Sequence, residues 1–247
     1  MRLIVVGTGS SGNCLVLDQD GQKLVLDAGI PMTSVIRAVG GLNGIFGCLV
    51  THEHMDHAKA VNGFMRYGID ILATNGTFDA LKTNMVRMRR MRIGEMKQAG
   101  PYSVLAFPVQ HDAAEPCGFL IRHDPTGIKL LYATDTYYLR NTFPGVHFWL
   151  IECNYCSELM HEQELDALNL QERQMLNRLR KSHMSLHRLK QTLAANDLTE
   201  TRKIILLHLS DGRSNEEQMV REVQEQTGIE TIAADKGMEI ELSLTPF

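Results

Sequence analysis

The sequence predicts an α/β (α+β) fold in which two mixed β-sheets pack together with helices outside. Three observations point there. Short apolar, β-branched runs recur along the chain, each bounded by Gly, Asp, Asn or Pro. Segments with helical spacing lie between some of them. Residues able to bind metal gather where several of the strand-like runs end. With 247 residues, 44% of them hydrophobic, the chain can bury a sizeable core. No internal repeat, low-complexity segment or linker interrupts it, so a single domain over 1–247 is expected.

The expected strands are RLIVVG (2–7), NCLVLD (13–18), KLVLDAG (23–29), GCLVTH (47–52), IDILAT (69–74) and SVLAFPV (103–109). They continue with GFLIRH (118–123), KLLYAT (129–134), HFWLIE (147–152), KIILLH (203–208) and GMEIEL (237–242). DQDGQ has the composition of a tight turn between the second and third runs. Helical spacing covers 31–39, 58–67, 77–86, about 157–181, 185–195 and 214–226. The last begins with Ser214 and Glu217, the spacing of a capping box. The stretch 154–182 reads as a helical insertion. Its leucines and methionines suit core packing or a homodimer face.

Composition excludes several classes. The net charge of −4 offers no global basic field, although a local patch would suffice for nucleic acid. Five cysteines, an odd number, suit free thiols in a reducing compartment. The pair Cys153 and Cys156 has no second pair to complete a zinc site and reads as structural thiols. The opening MRLIVVGTGSSGN lacks the pattern of a secretory leader, and no window approaches the roughly 20 apolar residues of a membrane span. A cytoplasmic protein without a membrane partner is expected.

The densest chemistry lies in LVTHEHMDHAKA, Leu49 to Ala60. His52 and His54, at alternate positions after a strand, can face one side of a loop. Asp56 and His57 fall on the turn into a helix and diverge from that pair, so the spacing makes two half-sites. Imidazoles and a carboxylate suit zinc or manganese, with iron as a further possibility. Two ions need more ligands than these four. His111, Asp135 and His208 each follow a strand-like run and complete the set. His52, His54 and His111 are expected to hold one divalent ion and Asp56, His57 and His208 the second, with Asp135 bridging both.

Other features favour phosphodiesters. GTGSSGNC, Gly7 to Cys14, lets backbone approach a ligand and offers Ser10, Ser11 and Asn13 to phosphate oxygens. His183 precedes an expected helix N-cap, Ser185, where an anion is favoured. There His183 can stabilise a phosphoryl transition state, Ser185 can contact phosphate, and Glu152 can orient the histidine. Arg87, Arg89, Arg90, Arg92 and Lys97 stand against Glu95. Arg173, Arg178, Arg180, Lys181, Arg188 and Lys190 stand against Glu172. Both runs can hold a polyanion backbone.

KLVLDAGI, HEHMDH, His111, Asp135 and His208 together resemble the five motifs of the metallo-β-lactamase superfamily. The resemblance implies a four-layer αβ/βα sandwich with metals at one edge of the sheets, and gives Asp27 the task of orienting metal ligands. SSGN, LVLDAG, THEHMDH, HDAAEPCG, ATDT, IECN, SHMSL and LHLSDGRSN look most like the YycJ/WalJ group of bacterial nucleases. That likeness implies metal-dependent exonucleolytic cleavage of DNA, in preference to RNA, from 5′ ends. A hydroxide bridging the metals would be the nucleophile, with Asp56 orienting or deprotonating it. A similarity to RNase Z gives His183 its assisting role. The interval between Asp135 and His208 leaves no room for the large inserted domain of RNase J-like enzymes. Two other readings predict different behaviour. A small-molecule hydrolase of the same fold would turn over a cyclic phosphodiester, thioester or lactone. A non-catalytic binding protein would hold no metal.

Overall fold

A computed structural model describes residues 1–83, 86–156, 180–210 and 215–245. Two seven-stranded sheets run in the orders β14-β1-β2-β3-β4-β5-β6 and β13-β12-β11-β10-β9-β8-β7. In the first sheet, β14 (Glu239–Glu241), β1 (Arg2–Gly7), β2 (Cys14–Gln19) and β3 (Gln22–Leu26) are antiparallel. From β3 onward, β4 (Ile45–Leu49), β5 (Ile71–Thr74) and β6 (Met88–Met91) are parallel. The second sheet repeats the scheme. Its antiparallel half is β7 (Met96–Ala99), β8 (Tyr102–Pro108), β9 (Cys117–His123) and β10 (Lys129–Ala133). Its parallel half continues through β11 (Phe148–Glu152), β12 (Lys203–Leu207) and β13 (Glu230–Ala233).

Side-chain alternation explains the layering. Leu130, Tyr132, Ile205 and Leu207 face the other sheet and meet Leu3, Leu17, Leu26 and Leu49 in a central core. Their neighbours Leu131, Ala133, Ile204 and Leu206 point the opposite way. There they pack under α5 (Leu186–Ala194) and α6 (Glu216–Thr227), through Leu189, Leu193, Met219 and Val223. The first sheet likewise packs Val16, Val25, Val50 and Ile71 under α1 (Met32–Val39), α2 (Met55–Ala58), α3 (Val61–Arg66) and α4 (Asn75–Leu81). Both faces of the central strands are buried, which is why they read as continuous apolar runs. The result is the expected layer order of helices, sheet, sheet, helices. No described helix is long and apolar enough to cross a membrane.

Every expected strand forms. Asp20 and Gly21 at φ 52° and 84° give the β2–β3 hairpin the left-handed turn its twist prefers. Three strands lie outside the expectation: β6, β7 and β13. β6 is MRRM and β7 is MKQA. Each is the last strand of its sheet, and their polar positions face water, so neither shows an apolar alternation. α6 starts at Glu216 with Asn215 as its N-cap, the Asn215 side chain accepting from Gln218 N. Ser214 and most of the expected insertion at 154–182 lie outside the described residues.

Backbone packing around Gly29 fixes the polar loops. Ala28 N donates to His57 O at 2.7 Å, Gly29 N to Asn13 O at 2.9 Å, and Asn13 N to Asp56 O at 2.7 Å. A Cβ at Gly29 would stand 1.8 Å from Asp56 O and 2.6 Å from Asn13 N. Gly29→Ala must therefore push α2 away, and an overpacking cost of about 1–3 kcal/mol or more is expected. Gly63, in α3, has nothing near its missing Cβ. Gly63→Ala should instead gain about 0.5–1 kcal/mol of helix stability. Thermal melting of the two variants should move in opposite directions, by roughly 2–4 °C per kcal/mol in a chain of this size.

Candidate metal centre

The expected metal-ligand residues stand beyond the carboxyl ends of strands on one edge of the sandwich, and His183 joins them from just before α5. Asp27 follows β3, His52 and His54 follow β4, and Asp56 and His57 sit in α2. His111 follows β8, Asp135 follows β10, Glu152 ends β11, and His208 follows β12. Asp27, Asp135 and His208 have positive φ, at 61°, 47° and 56°. A left-handed conformation is uncommon at a non-glycine residue, is adopted more readily by Asp and His than by most, and clusters at functional sites.

Asp27 is fully buried, and its carboxylate accepts four donors. These are Thr51 N at 2.8 Å, Thr51 Oγ1 at 3.0 Å, His57 Nδ1 at 2.8 Å and Tyr132 OH at 2.6 Å. The proton logic follows from donor and acceptor inventory. A carboxylate only accepts, so the Thr51 hydroxyl hydrogen goes to Asp27. Thr51 Oγ1 then accepts from His52 Nδ1, 3.0 Å away. His52 therefore turns Nε2 towards the cluster. His57, donating through Nδ1, does the same. His111 donates Nδ1 to Ser182 O at 3.1 Å, so its Nε2 also faces inward. Glu53, inside the same motif, accepts from Ala114 N at 2.8 Å and so pins the His111 loop.

Asp135 stands at the middle. Its Oδ2 lies 3.8 Å from His52 Nε2, 3.4 Å from His57 Nε2 and 3.7 Å from His111 Nε2. Its Oδ1 lies 3.2 Å from His208 Nδ1. His54 Nδ1 is 3.1 Å from His111 Nε2, and Asp56 Oδ2 is 3.4 Å from His57 Nε2. Ligand atoms of His52, His54 and His111 converge, as do those of His52, His57 and Asp135. A third group unites Asp135, Glu152, His183 and His208. The expected first triad is thus brought together. In place of Asp56, the group around His208 draws in Glu152 and His183, while Asp56 joins the cluster through His57.

Two observations test whether cations fit. His52 Nε2 is buried with no hydrogen-bond partner. Burial and the neighbouring His57 also hold this imidazole well below its usual pKa, so a neutral lone pair faces the cluster. The second observation is the excess of carboxylates. Burial alone would raise Asp135, but His208, His57 and His52 hold it well below the usual carboxylate range. Burial opposes protonation of His57, but Asp135 and Asp27 outweigh it and raise that imidazole well above its usual value. Imidazolium protons thus balance the carboxylates, and those are the protons that a divalent cation displaces. The donor set fits divalent metal.

Glu152, also fully buried, organises the other side. Its Oε1 lies 2.6 Å from His183 Nδ1 and 3.0 Å from His208 Nδ1. Its Oε2 accepts from Thr136 N at 2.9 Å and Met184 N at 3.1 Å. Burial pulls His183 down, but the Glu152 carboxylate beside it prevails and lifts its pKa to about 9. The expected pairing of Glu152 with His183 is present.

The expected phosphate contacts separate into two kinds. Ser10 and Ser11 are exposed on the loop after β1. Asn13 is buried, and its amide is taken up by Gly9 N at 2.9 Å, Gly9 O at 3.1 Å and His57 Nε2 at 2.9 Å. Ser185 is buried and caps α5, accepting from Arg188 N. Both hold the protein's own groups. The first basic run is also partly neutralised: Arg87 pairs with Asp70, Arg90 with Asp79 and Lys97 with Glu95. Residues 173 and 178 of the second run lie outside the described residues.

Thr8, Thr51, Tyr132 and Asn154 were not anticipated. Thr8 Oγ1 accepts from His208 N at 3.1 Å, and Asn154 Nδ2 donates to His208 O at 2.7 Å. Asn154 carries a signal in the sequence, since it lies two residues after Glu152.

The fold and this cluster define a class, and comparison with known proteins places the chain in it. A family model described as "Beta-lactamase superfamily domain" matches residues 24–209. The chain belongs to the β-lactamase superfamily and is a metal-dependent hydrolase. It is 28% identical to "Exodeoxyribonuclease WalJ" of Streptococcus pneumoniae, over 97% of this chain and 91% of that protein. It is 31% identical to "Exodeoxyribonuclease YycJ" of Bacillus anthracis, over 65% of each. In fold it resembles the metallo-β-lactamase fold protein YhfI from Bacillus subtilis, with a TM-score of 0.73 and 14% identity. That likeness covers 97% of this chain and 98% of the other.

Asp27→Ala strands a buried histidine, a hydroxyl and a phenol, and should cost about 3–5 kcal/mol of stability. Asp27→Asn keeps the volume but offers His57 a weaker acceptor. The folded Asn variant is expected to bind divalent metal about 10–100-fold more weakly by equilibrium dialysis, as when a group that orients a ligand is lost.

Proposed function

We propose that the chain is a dinuclear, metal-dependent exodeoxyribonuclease that removes nucleotides from 5′ ends, built as a single domain over residues 1–247. The observation that carries this reading is the Asp135-centred cluster with a second histidine, His183, held beside it by Glu152. The relatives named exodeoxyribonuclease support DNA as the substrate. His52, His54 and His111 would hold one ion, and Asp56, His57 and His208 the other, with Asp135 shared. When bound, zinc or manganese supplies Lewis-acid activation of water and of the phosphoryl group.

The chain's own groups do the rest. Asp56, half-buried and joined to His57, is placed to accept the proton of the attacking water. His183 spends Nδ1 on Glu152, which leaves Nε2 to hold a phosphoryl oxygen or protonate the departing oxygen. The exposed Ser10 and Ser11 lie on the loop fastened to α2 by Asn13, whose N donates to Asp56 O, and to His208 by Thr8, where their hydroxyls can donate to phosphate oxygens. Asn13 and Ser185 act indirectly, one bracing that loop and the other capping α5.

End-labelled DNA with manganese tests the reading. Wild type should release nucleotides from the 5′ end, EDTA should stop it, and Asp56→Ala should abolish it. His183→Ala should keep its metal and lose about 10²–10⁴ in kcat, the usual contribution of a positioned acid or base. Release from the 3′ end, or cleavage that survives metal removal, would sink the proposal. So would a His183→Ala variant with wild-type kcat.

A further inference from the structure

The rim of the centre carries an aromatic feature that the hydrolytic residues leave unexplained. Tyr137 and Tyr138 follow Asp135 by two and three residues. The guanidinium of Arg188, on α5, lies 5.9 Å from the ring centroid of Tyr137 and 6.0 Å from that of Tyr138. Tyr138 remains 40% exposed, although Leu139 beside it is buried in the outer core. The core therefore takes the leucine and leaves the larger ring outside.

The backbone beneath the rings is fixed. Thr136 Oγ1 donates to Tyr138 O at 2.9 Å and accepts from Gln110 N at 3.0 Å. Tyr137 N donates to Gln110 O at 3.2 Å. Gln110 adjoins His111, and Thr136 adjoins Asp135. The two tyrosines thus ride on the loops that deliver two of the site residues. The Arg188 side is tied to the same frame, because Glu152 Oε2 accepts from both Thr136 N and Met184 N, just before α5. An exposed ring held on a rigid backbone loses little entropy when something stacks on it. A guanidinium capping it adds a planar cation that stacks on bases and pairs with phosphates.

We propose that Tyr138, supported by Tyr137 and Arg188, is a stacking subsite for an unpaired nucleobase of single-stranded DNA adjoining the phosphodiester that is cleaved. The proposal rests on the nuclease reading above. Every base presents a π-face, so the subsite provides affinity without sequence preference. A base inside a duplex has its faces covered by its neighbours, so an unpaired end is favoured.

The test compares two DNA strands of equal length, one ordinary and one whose terminal nucleotides are abasic, with manganese-loaded protein. Wild type should show a lower KM for the ordinary strand. Tyr138→Ala should raise that KM about 5–150-fold, the range for one lost base–aromatic stack. It should leave the KM for the abasic strand in place, and the effect should fall on KM more than on kcat. Tyr138→Phe, which keeps the ring, should restore the ordinary KM. Arg188→Ala offers an independent variant that leaves the Tyr138 loop intact and should raise the same KM. If KM for the ordinary strand is unchanged in Tyr138→Ala, or rises equally for both strands, the subsite is refuted while the nuclease reading stands. If wild type cleaves neither strand, the nuclease reading fails and the subsite falls with it.

Discussion

The buried carboxylate of Asp27 is the constraint on which the site depends. It receives Thr51 and His57 from the first sheet's loops and Tyr132 from a strand of the second sheet. One side chain therefore joins the two sheets, fixes the proton on His57 and, through Thr51, fixes the proton on His52. Hydrogen bonds to a charged group contribute about 1.5–3 kcal/mol each, and the alternative for each donor here is burial without a partner. The geometry that presents two imidazole nitrogens to one point follows from this carboxylate, set by a backbone turned into the left-handed region.

Glu152 repeats the device on the second sheet. It ends β11 and fixes His208, His183 and two backbone amides. Asp27 thus works from outside the cluster, while Glu152 stands within the group around His208 and Asp135 at the centre. Asp27 and Glu152 hold imidazoles in place, and Asp135 and Asp56 bring negative charge up to His57. Four acidic groups in one small volume serve distinct ends because their surroundings differ.

Most of the frame was readable in the sequence for a simple reason. Central strands covered on both faces must be apolar along their length, and ten such runs stood out between turn residues, with the edge strand β14 an eleventh run that alternates. β6 and β7 were hidden because an edge strand needs no apolar alternation, and their Arg and Lys residues looked like a charge run. The histidines and Asp135 were legible because their chemistry is rare and their spacing tight. Asn13 and Ser185 were legible as polar residues near the site but not in their work. Whether a polar side chain serves a ligand or its own backbone depends on contacts between residues far apart in the chain. Thr51 and Tyr132 were missed for the same cause: each acts across a distance in sequence that periodicity does not span.

The strand order also sets a timetable for synthesis. β1 pairs with β14, Arg2 opposite Glu241 and Leu3 opposite Ile240, so the earlier strand waits for a partner made more than 230 residues later. At about 5–20 residues per second, that wait runs to roughly ten seconds or more. His208 is made about 150 residues after His57. β12 (Lys203–Leu207) directly precedes His208, so a growing chain gains a central strand of the second sheet and this histidine together. Until then the growing chain lacks both the edge partner of β1 and the histidine that faces Asp135.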